Sequence, residues 1–120
     1  GESQSKIYLK VYEELVQRGL TDDVKLTGTD ETSIDVQIES IEKLSPEALD
    51  KIVKLNPHTY GGSRRYEMKD LADTLNKKLW MSEICTGSGP DDHESMISAL
   101  DLSNMILYLC FMYLNIFDHQ

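Results

Sequence analysis

The sequence predicts an α/β fold in which short parallel strands alternate with helices. Two patterns support this: apolar residues recur at helical spacing in several segments, and short apolar runs ending in polar residues lie between them. The resulting order of helix, strand, helix, strand, helix, strand, helix is typical of parallel strands joined by right-handed crossovers. The 120 residues contain no internal repeat or interdomain linker, so we expect a single domain over residues 1–120.

The first predicted helix covers residues 6–20 and ends near Gly19. Its apolar positions, which recur every three or four residues, are Ile7, Val11, Leu15 and Val16. A short strand follows over residues 24–27 and ends in a polar loop. We expect the apolar positions of the helix to face the core.

A second helix is predicted next, capped by Ser33 or Asp35. Its core-facing residues are expected to be Ile34, Ile38 and Ile41. Ser45 and Pro46 then mark another helix start, because serine is a favoured cap and proline suits the first helical position. The second strand is predicted over residues 53–56, where Pro57 ends it.

The remaining elements are a helix over residues 64–76, a strand over residues 79–82 and a last helix over about residues 94–115. The first of these helices carries one apolar face made of Met68, Leu71, Ala72 and Leu75. The last one is so apolar that we expect it to be buried on several sides. Three parallel strands leave both sheet edges exposed, and we therefore expect the chain to continue or to pair with another surface.

Composition excludes several classes of protein. Hydrophobic residues make up 40% and charged residues 28%, which is typical of a folded domain. The net charge of -9 argues against nucleic-acid binding, which needs clustered lysine and arginine. No apolar run reaches the roughly 18 residues that span a bilayer, so no membrane partner is expected. Two cysteines, Cys85 and Cys110, do not make a disulfide framework. The segment of residues 91–94 is more typical of an acidic helix start than of a metal site. No cofactor is expected.

Glu83 directly follows the third predicted strand, at the position where α/β folds place their active sites. Strand alternation puts Glu83 on one face with Leu79 and Met81, and it puts Trp80 and Ser82 on the other. A carboxylate at such a rim can attack the anomeric carbon of a sugar or stabilise an oxocarbenium-like transition state. The alternative is a solvated acid at a strand end. Trp80 is expected to pack between the sheet and the helices.

His58 and Tyr60 follow the second strand and share a face, because they are two residues apart. A tyrosine hydroxyl that donates a hydrogen bond to a nucleophilic carboxylate keeps it ionised. A histidine at the same rim can bind a sugar hydroxyl. The alternative is that both side chains simply pack in the turn between strand and helix.

Asp30 and Glu31 end the first strand in the same way, so three successive strands finish in polar residues at one rim. The alternative is that loops of α/β folds are polar in general. Arg64 and Arg65 begin a helix, which is the less favoured end for positive charge. Their position suggests binding of a carboxylate or a sugar, and a solvated pair is the alternative.

The chain resembles glycoside hydrolase family 30 from about residue 24 to its end, and within that family the endo-β-1,6-galactanase branch. The residues that carry the resemblance are Gly28-Thr29-Asp30-Glu31 with Asp35, Asn56-Pro57-His58-Thr59-Tyr60 with Arg64-Arg65, and Lys78-Leu79-Trp80-Met81-Ser82-Glu83, with residues 96–102 similar to the next helix. The xylanase branch shares a similar His-x-Tyr-Gly and Leu-Trp-Met-x-Glu pair. Members of the family are (β/α)8 TIM barrels, so the resemblance implies the C-terminal part of such a barrel, covering strands five to seven.

The resemblance also implies a retaining β-glycoside hydrolase that acts on an oligo- or polysaccharide, with Glu83 as the nucleophile and Tyr60 in contact with it. The residues expected to bind substrate are His58, Asp30, Glu31, Arg64 and Arg65. No cofactor or metal is implied. A secreted or cell-surface location would suit a protein that degrades polysaccharides.

One part of the family's machinery is absent from the sequence. The acid/base glutamate of the family follows an asparagine at the end of strand four, and no Asn-Glu pair occurs here. We therefore expect the chain to be inactive alone and to need the remainder of the barrel. A non-catalytic module that binds a glycan or a partner is one alternative. A small flavodoxin-like domain is another, although no strand-to-helix turn has the phosphate-binding glycine pattern.

Overall fold

The structure is a computed structural model that describes residues 1–83 and 96–113, with side chains of the second range described over residues 99–107. The chain divides into two compact units, Gly1–Glu83 and Ile84–Gln120. The elements in chain order are α1 (Glu2–Gln17), β1 (Leu26–Gly28), α2 (Ile34–Glu42), α3 (Pro46–Lys51), β2 (Ile52–Leu55), α4 (Arg65–Thr74), β3 (Lys78–Leu79) and α5 (Met96–Tyr113).

The three strands of the first unit form a parallel sheet in the order β1-β2-β3. Leu26 pairs with Ile52, and Leu55 pairs with both Gly28 and Leu79. The predicted alternation of helices and parallel strands is therefore confirmed, although each strand starts or ends one to three residues away from the predicted range. Whether this sheet is part of a TIM barrel stays a prediction.

The core lies between the sheet and helices α2 and α4, which pack against each other. Its buried residues are Ile34, Ile38, Ile41, Leu44, Ile52, Leu55, Met68 and Ala72. The predicted apolar faces of α2 and α4 are thus confirmed. Burying one isoleucine or leucine side chain fully is worth about 1.5–3 kcal/mol, so this cluster is the main source of stability for the sheet.

Helix α3 begins as its sequence predicts, because the Ser45 hydroxyl accepts a hydrogen bond of 3.2 Å from the backbone N–H of Ala48. The start of α2 confirms the predicted position of the cap at Ser33 but not a cap hydrogen bond. Ser33 occupies the cap position without a side-chain cap bond. The carboxylate of Asp35 instead accepts the N–H groups of Ser63 and Arg64, at 3.0 and 3.1 Å, where α4 begins. Asp35 therefore ties α2 to α4.

Helix α1 presents a different face to the protein from the predicted one. Ile7 is 63% exposed, and Val11 and Val16 are also exposed, so the predicted core face is wrong at these three positions, whereas Leu15 is half-buried as predicted. The residues turned inward are Ser5, Tyr8, Leu9, Tyr12 and Leu15. Two of them carry polar anchors that apolar periodicity does not reveal: the Tyr8 hydroxyl donates to the Thr27 carbonyl at 3.3 Å, and the Ser5 hydroxyl accepts from the N–H of Ser45 at 2.9 Å.

The second unit contains helix α5, whose described residues, Met96–Tyr113, all lie within the predicted helix. Its side chains at Leu100, Ile106 and Leu107 are at least half exposed, so the expected burial on several sides is wrong at these positions. The predicted loop over residues 84–93, which contains Cys85, lies outside the described residues, as does the predicted acidic helix start at residues 91–94. Within the described part of the chain, no helix is long and apolar enough to cross a membrane.

Two glycines with positive φ allow a matched test of packing at the start of α4. Gly62 has φ +97°, and a Cβ there would lie 2.6 Å from the Asp35 carboxylate oxygen Oδ1. Gly19 has φ +68°, and a Cβ there would meet no atom within 4 Å. We expect Gly19→Ala to lower the free energy of unfolding by about 1–2 kcal/mol, the cost of left-handed backbone. Gly62→Ala should cost a further 1–3 kcal/mol, roughly, through overpacking. Urea unfolding of both variants checks this, and equal losses would contradict it.

Candidate functional site

Hydrogen bonds to one atom, Oδ1 of Asp30, connect side chains that follow the carboxyl ends of the three strands. This oxygen accepts hydrogen bonds from Asn56 Nδ2 at 2.8 Å, His58 Nε2 at 3.0 Å and Ser82 Oγ at 3.0 Å. Asp30 follows β1, Asn56 and His58 follow β2, and Ser82 follows β3. Because the acceptor is a carboxylate, these are charge-assisted bonds, which are stronger than bonds between neutral groups. Asp30 adopts φ +66°, a conformation that aspartate tolerates better than most residues.

Glu83 lies beside this cluster, next to Tyr60, which was predicted to contact it, and His58, which was predicted to bind substrate. The Tyr60 hydroxyl donates to Oε1 of Glu83 at 2.8 Å. His58 Nδ1 is 3.3 Å from Oε2, close enough for an ion pair but not aligned as a hydrogen bond. The rings of His58 and Tyr60 meet edge to face, with centroids 5.8 Å apart. The Glu83 side chain is 55% exposed, so a ligand can reach its carboxylate.

The end of β3 departs from the predicted alternation. Ser82 and Glu83 were expected on opposite faces, yet Ser82 contacts Asp30 and Glu83 contacts Tyr60. The prediction is wrong because β3 ends at Leu79, and beyond that residue the chain is no longer held in a pleated ladder. Trp80 was also predicted to be packed between sheet and helices. It is 53% exposed, because β3 is an edge strand, and Lys54 Nζ lies 5.3 Å from its ring centre.

Glu31 is turned away from the Asp30 oxygen and toward α2. Its Oε1 accepts a hydrogen bond of 2.8 Å from the Ser40 hydroxyl, and its backbone N–H donates to Gln37 Oε1 at 2.9 Å. Glu31 therefore holds the loop after β1 against α2. Its predicted part in substrate binding stays a prediction.

Arg64 and Arg65 make their contacts at the start of α4. The Arg64 guanidinium pairs with the Glu67 carboxylate, and this hydrogen bond raises the pKa of Arg64 and lowers the pKa of Glu67. Arg65 Nη1 donates to the Gly62 carbonyl at 2.9 Å. The positive charge at this helix end is thus offset by an acidic residue in the first turn. Binding of substrate by either arginine stays a prediction.

Sequence reasoning missed Gln37, which holds the loop after β1 through hydrogen bonds to its backbone. It is fully buried, its Nε2 donates to the Gly28 carbonyl at 3.1 Å, and its Oε1 accepts from the N–H of Glu31. A signal was present: Gln37 precedes Ile38 on a helix whose core face is otherwise isoleucine. A buried polar side chain needs partners, and loops near strand ends offer backbone groups that need them as well.

Tyr8 supports the same loop from the side of α1. Burial raises the pKa of the Tyr8 phenol, and the negative charges of Asp30 and Glu31 raise it further. The neutral hydroxyl donates to the Thr27 carbonyl. A Cβ on Gly28 would overlap the Tyr8 hydroxyl and lie 2.9 Å from Cζ, so only glycine fits beside this ring. The end of β1, just before Asp30, is therefore closely packed against Tyr8.

The rim does not resemble a metal centre. Among the described residues, no group of three or more histidine, cysteine, aspartate or glutamate side chains is placed to hold a metal ion. The polar groups at the rim are instead hydrogen-bonded to one another. The side chains of Asp30 and Glu83 are both more than half exposed, and Glu83 is the one that accepts from the Tyr60 hydroxyl. This arrangement suits nucleophilic attack or the binding of a hydroxylated ligand.

The support from Gln37 can be measured by replacing it with methionine, which has a similar volume but no hydrogen-bonding amide. We expect Gln37→Met to lower the free energy of unfolding by about 1–3 kcal/mol, because the N–H of Glu31 loses its partner in a partly buried loop. The control is Glu39→Met on the same helix, which breaks only an exposed ion pair with Lys43 and should cost about 0–1 kcal/mol. Similar losses in the two variants, measured by urea unfolding, would show that the amide has no such role.

Comparison of the chain with protein-family models, with curated proteins and with solved structures found no significant match in any of the three.

Proposed function

We propose that this rim is the nucleophile half of the active site of a retaining β-glycoside hydrolase, similar to glycoside hydrolase family 30. The observation that carries the proposal is the 2.8 Å hydrogen bond from the Tyr60 hydroxyl to the exposed Glu83 carboxylate. A hydrogen bond of this kind stabilises the ionised form of the carboxylate, which is the form that attacks. The contact joins two residues that the family resemblance pairs in the same way.

The proposed reaction begins with attack of a Glu83 oxygen on the anomeric carbon. A bond forms between that oxygen and the carbon, and the bond from the carbon to the leaving oxygen breaks with its electron pair. A second carboxylic acid gives the leaving oxygen its proton and later takes a proton from the water that releases the sugar. In retaining enzymes the two carboxyl groups are about 5–5.5 Å apart.

Asp30 is a poor candidate for that second carboxylate. One of its oxygens already accepts three hydrogen bonds, which tie it to the ends of β2 and β3 and not to a ligand. Glu31 is engaged by Ser40. We propose that the acid/base carboxylate comes from the remainder of a barrel, and that Glu83 acts as nucleophile only in that setting on natural glycans. A galactan-like, β-linked oligo- or polysaccharide is the proposed substrate.

A non-catalytic module that binds a glycan is the second candidate. Two aromatic rings near the rim favour it, because Tyr60 is 47% exposed and Trp80 is more than half exposed. Exposed aromatic rings bring large contact area at little entropic cost, and sugars can stack on them. In this case Glu83 would bind hydroxyl groups and would form no covalent bond.

The two candidates differ in whether Glu83 forms an adduct. We expect 2,4-dinitrophenyl 2-deoxy-2-fluoro-β-galactoside to label Glu83, because dinitrophenolate departs without protonation and the reaction needs no acid/base residue. Peptide mass spectrometry should locate one fluorosugar on Glu83. Tyr60→Phe should slow labelling roughly tenfold or more, since a hydrogen bond to a charged group is worth about 1.5–3 kcal/mol.

The matched control is Glu39→Gln, an exposed carboxylate on α2 whose only described contact is the ion pair with Lys43, and it should label like the unaltered protein. Glu83→Gln should not label. A folded protein that binds β-1,6-galactan but shows no adduct at Glu83 would contradict the nucleophile proposal and favour the binding module. Equal labelling of Glu83→Gln would show that the reagent modifies another residue.

A further inference from the structure

His58 lies between two carboxylates and meets them differently with its two ring nitrogens. Its side chain is only 10% exposed. Nε2 makes a hydrogen bond of 3.0 Å with Asp30 Oδ1. Nδ1 lies 3.3 Å from Glu83 Oε2 but has no aligned hydrogen-bond partner within the described part of the chain. The ring is therefore held by a hydrogen bond at one nitrogen, and the other nitrogen is buried without one.

We propose that Asp30 is a positioning residue that fixes the proton of neutral His58 on Nε2 and leaves Nδ1 as a bare acceptor beside Glu83. A carboxylate only accepts hydrogen bonds, so the nitrogen that faces Asp30 must carry the proton. The opposite tautomer would lose this charge-assisted bond, whereas the proposed one loses no aligned bond at Nδ1, 3.3 Å from Glu83 Oε2.

The surroundings keep the Asp30 oxygen in the place that this role requires. Asn56 Nδ2 and Ser82 Oγ donate to the same oxygen, so the carboxylate is held from the ends of β2 and β3. The backbone N–H of His58 donates to the Glu31 carbonyl at 3.0 Å, which fixes the base of the histidine. The side chain of His58 thus has a defined orientation before any ligand arrives.

The tautomer determines which group beside Glu83 can donate a hydrogen bond to it. A bare Nδ1 and the Glu83 carboxylate are both acceptors, so at 3.3 Å no hydrogen bond joins them. Nδ1 is itself buried, so a ligand does not replace Glu83 as its neighbour. The Tyr60 hydroxyl is then the group that donates to Glu83, at 2.8 Å. The meaning of this contact for glycoside cleavage rests on the proposed function, whereas the tautomer does not.

Nitrogen-15 NMR of the histidine rings tests the proposal without any glycoside. The chain has three histidines, and the His58 signals are assigned by their loss in His58→Gln. With the neutral ring, we expect the Nε2–H tautomer to exceed the other by roughly tenfold or more. Asp30→Asn keeps an acceptor oxygen for the same donors and should keep this tautomer. Asp30→Ala removes the acceptor and should shift the proton to Nδ1, where Glu83 Oε2 can accept it.

Ser82→Ala is the control, because it removes a different donor to the same oxygen and should leave the tautomer unchanged. A neutral wild-type ring with its proton on Nδ1, or with similar amounts of both forms, would overturn the proposal. A ring that stays doubly protonated up to the alkaline limit of the folded state would overturn it as well, because Nδ1 would never be an acceptor. An unchanged tautomer in folded Asp30→Ala would remove Asp30 from the role. If that variant does not fold, the wild-type tautomer alone decides.

Discussion

One carboxylate oxygen, Oδ1 of Asp30, holds together the ends of three parallel strands. The strands themselves pair over very short stretches, and β3 contributes only Lys78–Leu79 to the sheet. Ladder hydrogen bonds alone therefore give the rim little rigidity. The bonds from Asn56, His58 and Ser82 extend the connection between the strands beyond the point where the backbone ladder stops. The positions of His58 and Glu83 depend on this connection.

Buried or half-buried polar side chains of α1 and α2 hold the loops that carry the site residues. Gln37 binds the loop after β1, and Asp35 binds the backbone at the start of α4. Tyr8 fills the space beneath Gly28. Each of these groups satisfies backbone atoms that would otherwise lack partners at the end of a strand or a helix. The loops next to the exposed Glu83 carboxylate are therefore held in fixed positions. A preorganised site requires such fixed surroundings.

Much of the fold could be predicted from apolar periodicity. Ile34, Ile38 and Ile41 identify the core face of α2 because they are too regular and too large to be exposed together. The same reasoning fails for α1, whose inward face is decided by the hydrogen bonds of Tyr8 and Ser5 rather than by hydrophobicity. Periodicity measures only apolar area, and it cannot distinguish an aliphatic face from an aromatic face with polar anchors.

The candidate site was only partly predictable, for a related reason. The positions of the predicted strand ends identify Asp30, His58, Tyr60 and Glu83 as site residues, because parallel strands bring their carboxyl ends to one edge. The same reasoning does not identify Ser82 or Asn56. Ser82 was assigned to the wrong face by assuming that the pleat continues past Leu79, and Asn56 was treated as the last residue of a strand. Contacts made after a strand ends depend on the path of the loop, which local sequence rules do not fix.

The most direct test of this account is a double-mutant cycle between Asp30 and Asn56, followed by urea unfolding. The account predicts that Asp30→Ala and Asn56→Ala interact, so that the double variant differs from the sum of the single variants by about 1 kcal/mol or more. Agreement with that sum to within roughly 0.3–0.5 kcal/mol would mean that the two residues act independently. It would contradict the claim that the Asp30 carboxylate joins the strand ends.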